Sequence, residues 1–128
     1  MVSGSYLLTP PKTFFTNYPL YTDELAAIVD WFKANWKETR KPGIAYLTAD
    51  SAAGRSIDIP EMQAYLVNAG FEFVGKPFVL MVLTSPSTTQ LAWLKENKVD
   101  LALGWMINPG SQPTIKEAVR LGIGPNLD

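Results

Sequence analysis

Near its start, the chain places apolar residues at helical spacing and then runs into a short unbroken apolar stretch. Thr22 precedes two acidic residues, an order typical of a helix N-terminus, where a hydroxyl caps the helix and acids favour the first turn. Apolar side chains then recur with helical periodicity; they are Leu25, Ile28, Val29, Phe32 and Trp36. The pattern predicts a helix with basic residues at its end, over 37–41, that Pro42 and Gly43 terminate before a buried strand over 44–48.

Helices and strands are predicted to alternate along the rest of the chain. Gly70 is predicted to close one helix in the left-handed conformation. The strand after it is expected to be interrupted at 76–77, because proline cannot donate to a sheet ladder. The predicted elements are a helix over 57–69, a strand over 71–82, a helix capped by 84–87, a strand over 99–103 and a helix over 113–121.

This alternation predicts the fold class. Short connections between strands and helices favour right-handed crossovers and a small parallel sheet with helices on both faces. We therefore expect one α/β domain over 1–128, a three-layer flavodoxin-like (Rossmann-like) sandwich, with an irregular segment over 1–19 and a core over 20–122. The uniformly apolar run 78–83 is interpreted as a central buried strand, since strands covered on both faces are apolar throughout. The alternative is that part of this run was replaced by design.

Composition narrows the classes of function. Eleven basic and twelve acidic residues give a net charge of −1, so we expect no nucleic acid partner. The chain has no cysteine and no histidine, which removes disulfides, the usual general base and the commonest transition-metal ligands. Neither a dinucleotide-binding nor a phosphate-loop motif is present. The sequence therefore predicts a protein that is not an enzyme and uses no cofactor and no metal.

The sequence also bears on location. Residues 1–6 include no basic segment that leads into an apolar stretch, so no signal peptide is predicted and the chain is expected to stay in the cytoplasm of the cell that makes it. The longest wholly apolar run, 78–83, is far shorter than the ~20 residues that cross a bilayer. We expect no membrane insertion.

Candidate ligand-binding residues follow the predicted strands, because ligands of open parallel sheets sit beyond the C-terminal strand ends. Asp50 and Ser51 follow the first strand, where they would hold a small ligand or simply cap a helix. Ser85 is one of several hydroxyls that would bind a polar ligand or mark a helix start. Trp105 would form an apolar pocket wall or tuck under neighbouring loops.

Four segments carry a resemblance to a known family. A hydrophobic strand leads into a D-S-x-x-G turn over 43–54, and the other segments are 66–74, 100–105 and 118–123. In this order they resemble the C-terminal lobe of type I periplasmic solute-binding proteins, the Leu/Ile/Val-binding family of branched-chain amino acid ABC transporters. The resemblance implies a parent with two such lobes, which binds an amino acid or related molecule in the cleft outside the cytoplasm.

The resemblance places candidate ligand contacts at Asp50, Ser51, Trp105 and Asn108. Ala53 and the segment 108–110 depart from the aromatic and acidic residues with which family members often hold an amino acid. The expected function is a non-catalytic lobe for a small polar organic ligand, bound weakly by the isolated lobe. The alternative is an engineered scaffold or designed protein-binding module, which binds a protein partner or forms a homodimer through an exposed apolar and aromatic surface.

Overall fold

Strands and helices alternate in the computed structural model, which describes residues 19–75, 78–80, 87–106 and 111–124. The elements are α1 Tyr21–Asn35, β1 Gly43–Ala49, α2 Ala52–Arg55, α3 Pro60–Asn68, β2 Glu72–Phe73, β3 Phe78–Leu80, α4 Thr88–Glu96, β4 Leu101–Leu103 and α5 Ser111–Arg120. This order confirms the predicted α/β class. No helix in these ranges is long and apolar enough to cross a membrane.

The strand β1 is the centre of a parallel sheet. Its first residues pair with β2, its last residues pair with β3, and Ile44 to Tyr46 pair with β4. The Ala49 N–H donates to the Trp105 carbonyl at 3.0 Å, so the chain after β4 follows the same edge of β1 and leaves the opposite edge to β2 and β3. Among the described strands β1 therefore holds the central position, and β3 pairs with β1 alone. Residues 81–83 of the predicted central strand lie outside the described residues, so that prediction stays a prediction.

Helices cover both faces of the sheet, which gives the three layers that the sequence predicts. On one face, Ile44 and Tyr46 of β1 pack under α1 and α3; this cluster comprises Leu25, Val29, Ile44, Tyr46, Ile57, Met62, Leu66, Phe71 and Leu103. On the other face, Ala45 and Leu47 pack against Leu91 and Leu94 of α4, with Ala118 of α5 beside them. Every residue from Pro42 to Thr48 is buried, which explains why this strand is almost entirely apolar.

Helix α1 ends at Asn35, earlier than the basic residues suggested, because the loop after it is bound to the start of β4. The Trp36 indole N–H donates to the Arg40 carbonyl at 2.8 Å, and the Arg40 guanidinium donates to both oxygens of Asp100 at 2.6 and 2.7 Å. Asp100 also accepts from the Gly43 N–H at 2.7 Å. The predicted Thr22 cap is also wrong, since the N-cap position is Leu20.

Two further predictions of helix ends need correction. The helix predicted over 57–69 is preceded by a separate short helix, α2, and α3 begins only at Pro60 because Ile57 between them is fully buried in the core. Ser87 occupies the N-cap of α4 without a capping bond; its hydroxyl instead pairs with that of Thr114 at 2.8 Å. The left-handed conformation of Gly70 is confirmed, with φ at 90°.

Candidate functional site

Among the described strands, the sheet has a topological switch point between β1 and β4. From β1 the chain passes through α2 and α3 to β2 on one edge, and from β3 it returns through α4 to β4 on the other edge. Where neighbouring strands are followed by connections that diverge in this way, a crevice forms beyond their C-terminal ends. The residues that build this crevice are those that follow β1 and β4.

A buried threonine joins the two strand ends. Thr48 is only 2% exposed, and its hydroxyl oxygen accepts from the Trp105 N–H at 3.1 Å. The same hydroxyl lies 3.1 Å from the Gly54 carbonyl and 3.0 Å from the Trp105 carbonyl. One side chain therefore fixes the turn after β1 and the chain after β4 relative to each other.

The floor of the crevice is built from closely packed backbone. A Cβ atom on Gly54 would lie 1.9 Å from the Ala49 carbonyl oxygen, and one on Gly104 would lie 1.7 Å from that of Leu47. Both distances are far shorter than any van der Waals contact, so glycine is required at each position for steric reasons. Gly54, the glycine of the D-S-x-x-G motif, is thus required for close backbone packing.

An aromatic pair borders the crevice. The ring of Trp105 stacks on that of Tyr21, with 3.9 Å between the centroids and an interplanar angle of 29°. Trp105 is half-buried and packs against the core cluster that also contains Ile57. The ring is therefore partly tucked under the start of α1, as one of the two interpretations has it. Its role as an apolar pocket wall stays a prediction.

Asp50 and Ser51 lie at the end of β1, as predicted, and both have local partners. Asp50 accepts from Arg55 Nε at 2.6 Å, and the side chain of Arg55 is 67% exposed. Ser51 caps α2 by accepting from the Gly54 N–H at 3.0 Å. Because α2 has only four residues, its N-terminus is too short to attract an anion by its dipole, and the charge at this edge comes from the Asp50–Arg55 pair.

The remaining candidates, Ser85 and Asn108, lie outside the described residues, and their predicted roles stay predictions. Sequence reasoning missed three residues that the structure brings to this edge: Tyr21, Thr48 and Arg55. Thr48 carried a signal, since it is the one polar residue in an apolar strand. Tyr21 and Arg55 carried no signal in the sequence, because Tyr21 belongs to the site only through its contact with Trp105, and Arg55 only through its contact with Asp50.

Tyr46 is the ionisable group with the largest buried surface beneath the end of β1, and its hydroxyl has a structural partner. Burial, with a smaller contribution from the charge of Asp58, raises the pKa of Tyr46, and its hydroxyl donates to the Ile57 carbonyl at 3.3 Å. Such a phenol stays protonated and acts as a structural donor. Among the described residues, no group of three or more acidic side chains is placed to hold a metal ion.

The chain was compared with protein-family models, with curated proteins and with solved structures. None of the three comparisons gives a match.

Proposed function

We propose that this chain is a non-catalytic lobe that binds a small polar organic molecule, of amino acid size, over the C-terminal ends of β1 and β4. One observation carries the proposal: Trp105, which stacks on Tyr21, follows β4, and Asp50, which pairs with Arg55, follows β1, so both pairs lie at the two strands that meet at the switch point. An apolar wall beside a few polar groups is the usual composition of a small-molecule site.

The two charges suggest how such a ligand would be held. Asp50 would accept hydrogen bonds from a ligand ammonium, while the exposed guanidinium of Arg55 would bind a carboxylate with two donors. The exposed part of the Trp105 ring would contact the apolar portion of the ligand. The resemblance to solute-binding lobes of ABC transporters supports the same role, and a whole transport receptor would supply the second wall of the cleft.

The affinity of this lobe alone is expected to be low. A ligand at these strand ends must compete with the existing bonds between Asp50 and Arg55, and one lobe covers only one side of it. We expect a Kd in the millimolar range, which corresponds to about 4 kcal/mol of binding free energy. The chain contains neither histidine nor cysteine, which favours binding over acid–base or nucleophilic chemistry.

The test is a titration with leucine, isoleucine, valine and a panel of simple carboxylic acids and amides. Backbone amide shifts in nuclear magnetic resonance spectra would locate binding, and tryptophan fluorescence would follow it. Saturable shifts are expected in the turn after β1 and at Trp105. The matched control is Trp31→Phe, because Trp31 is exposed on α1 and its replacement should leave binding unchanged.

Asp50→Asn separates a ligand site from a nonspecific response. The variant keeps an oxygen for Arg55 but loses the charge that holds an ammonium, so amino acids should bind about tenfold more weakly while simple carboxylic acids change little. The proposal is wrong if none of the compounds shifts the amides at these strand ends, or if the shifts are the same in wild type and Asp50→Asn.

A further inference from the structure

The Asp50–Arg55 pair at the end of β1 is neutral, but the segments that border it are acidic. Its two side chains carry opposite charges and lie in contact. The first turns of α1 and α3 and the loop between α2 and α3 contain four more carboxylates and no basic side chain; they are Asp23, Glu24, Asp58 and Glu61. Among the described residues, the C-terminal end of the sheet therefore has an excess of negative charge.

Contacts with the strands place these segments at that end of the sheet. Tyr21, the first residue of α1, stacks on Trp105, which follows β4. The Tyr46 hydroxyl of β1 donates to the Ile57 carbonyl at 3.3 Å, which holds the loop before α3 close to the same strand. Asp58 is the next residue, and α3 begins shortly after it. The four carboxylates therefore border the candidate ligand site.

Neighbouring segments of the chain offset only part of this negative charge. The first turns of α4 and α5 contain no charged residue, and neither do the sequences 81–86 and 107–110, beyond β3 and β4. Residues 1–18, which precede α1, contain one charged side chain, Lys12. The positive N-termini of α1, α3, α4 and α5 carry about half an elementary charge each. Together these positive charges are fewer than the four carboxylates, so this end stays negative.

The opposite end of the sheet, where the strands begin, has an excess of positive charge. The last turns of α1 and α4 and the loops that lead from them into β1 and β4 contain six basic side chains: Lys33, Lys37, Arg40, Lys41, Lys95 and Lys98. Four carboxylates lie in the same segments and at the start of β2; they are Glu38, Glu72, Glu96 and Asp100. The two ends of the described structure therefore differ in sign, and the field between them draws cations toward the C-terminal ends of the strands.

We infer that the ligand bound over β1 and β4 is an amino acid with a positively charged side chain. This inference rests on the proposed function and adds the sign of the ligand's charge to it. The Ala49 N–H donates to the Trp105 carbonyl at 3.0 Å, so Asp50, the next residue, adjoins the chain that carries the Trp105 ring. An ammonium group at Asp50 would lie beside that half-buried ring, and cations are attracted to indole rings. The acidic border favours a second ammonium group and disfavours an additional carboxylate.

Lysine and norleucine are the matched probes, because both have an unbranched alkyl side chain and only that of lysine ends in an ammonium group. Each is titrated into the full chain at about 0.01 M salt, and backbone amide shifts in the turn after β1 and at Trp105 measure the Kd. Lysine should bind about tenfold more tightly than norleucine, and glutamate more weakly than either. Raising the salt to about 0.15 M shortens the Debye length from about 30 Å to about 8 Å, so the preference for lysine should fall to about threefold.

A double variant, Asp23→Asn with Glu24→Gln, removes two carboxylates of the border and keeps Asp50. It should reduce the preference for lysine about threefold, while norleucine binds as before. Glu96→Gln is the matched control, because Glu96 is exposed at the opposite end, on α4, and its loss should change neither affinity. Norleucine binding without a preference for lysine would overturn the inference and leave the proposed function standing, as would a preference that salt and the double variant leave unchanged. No shift with either amino acid would mean that the proposed function is wrong, and the inference with it.

Discussion

Replacing Thr48 by valine should remove the hydrogen bonds that link the turn after β1 to the chain after β4, while the shape of the side chain stays almost the same. The hydroxyl of this buried residue accepts from the Trp105 N–H at 3.1 Å and lies 3.1 Å from the Gly54 carbonyl. In Thr48→Val the Trp105 N–H loses this acceptor, at a cost of about 1–3 kcal/mol, and one donated bond worth about 1 kcal/mol is also lost. The added methyl group returns about 0.8 kcal/mol by burial.

The expected net loss is about 2 kcal/mol in the free energy of unfolding, which lowers Tm by about 8 °C for a chain of this size. Urea denaturation would measure it as a lower midpoint with an unchanged slope. Thr48→Ser is the control, since it keeps the hydroxyl and should lose only about 1 kcal/mol. If Thr48→Val proved as stable as the serine variant, the hydroxyl would not be the link between the two loops, and the reasoning would be refuted.

Two further changes test other parts of the fold. Hydrogen bonds, first from Arg120, lower the pKa of Glu117 from 4.5 to about 2. The ionised Glu117 therefore stabilises the fold at pH values above its ordinary pKa of 4.5, and this stability is lost as the pH falls toward about 2. In Glu117→Gln the urea midpoint should consequently fall less steeply between pH 4.5 and 2 than in the wild type. The same pH dependence in both proteins would contradict this. Gly104→Ala, whose Cβ would lie 1.7 Å from the Leu47 carbonyl oxygen, should lower the free energy of unfolding by about 3 kcal/mol or more. Gly43→Ala should lose less, because its Cβ would be tight only against a Val74 methyl carbon, at 3.1 Å, and otherwise in ordinary contact with Asp100 and the Lys98 carbonyl; thermal unfolding of both variants would measure the difference.

Local patterns in the sequence predicted the order and type of the elements, but they located helix ends less well. The apolar stripe on α1 identified the helix, and Leu25 and Val29 of that stripe are buried. The same stripe did not predict that α1 stops at Asn35, because this depends on the fork between Arg40 and Asp100, sixty residues apart in sequence. Long-range pairs of this kind leave no periodic signal.

The candidate site was predicted only in part, again because some of its contacts join side chains that no local pattern relates. Residues directly after a strand, such as Asp50 and Trp105, follow from the rule that parallel strands end at one edge. The partners of these two residues, Arg55 and Tyr21, do not follow from that rule. Tyr21 reaches Trp105 only because α1 folds back over the sheet, and Arg55 reaches Asp50 only because a four-residue helix forms where a turn was expected.

The sequence by itself determined the α/β class and the alternation of elements, because these depend on residue period, chain breakers and turn residues near one another. It also showed that neither histidine nor cysteine is present in the chain. Only the tertiary structure decided that β1 is central among the described strands and that the switch point lies between β1 and β4. Strand order is set by contacts between segments distant in sequence, which a local pattern does not encode.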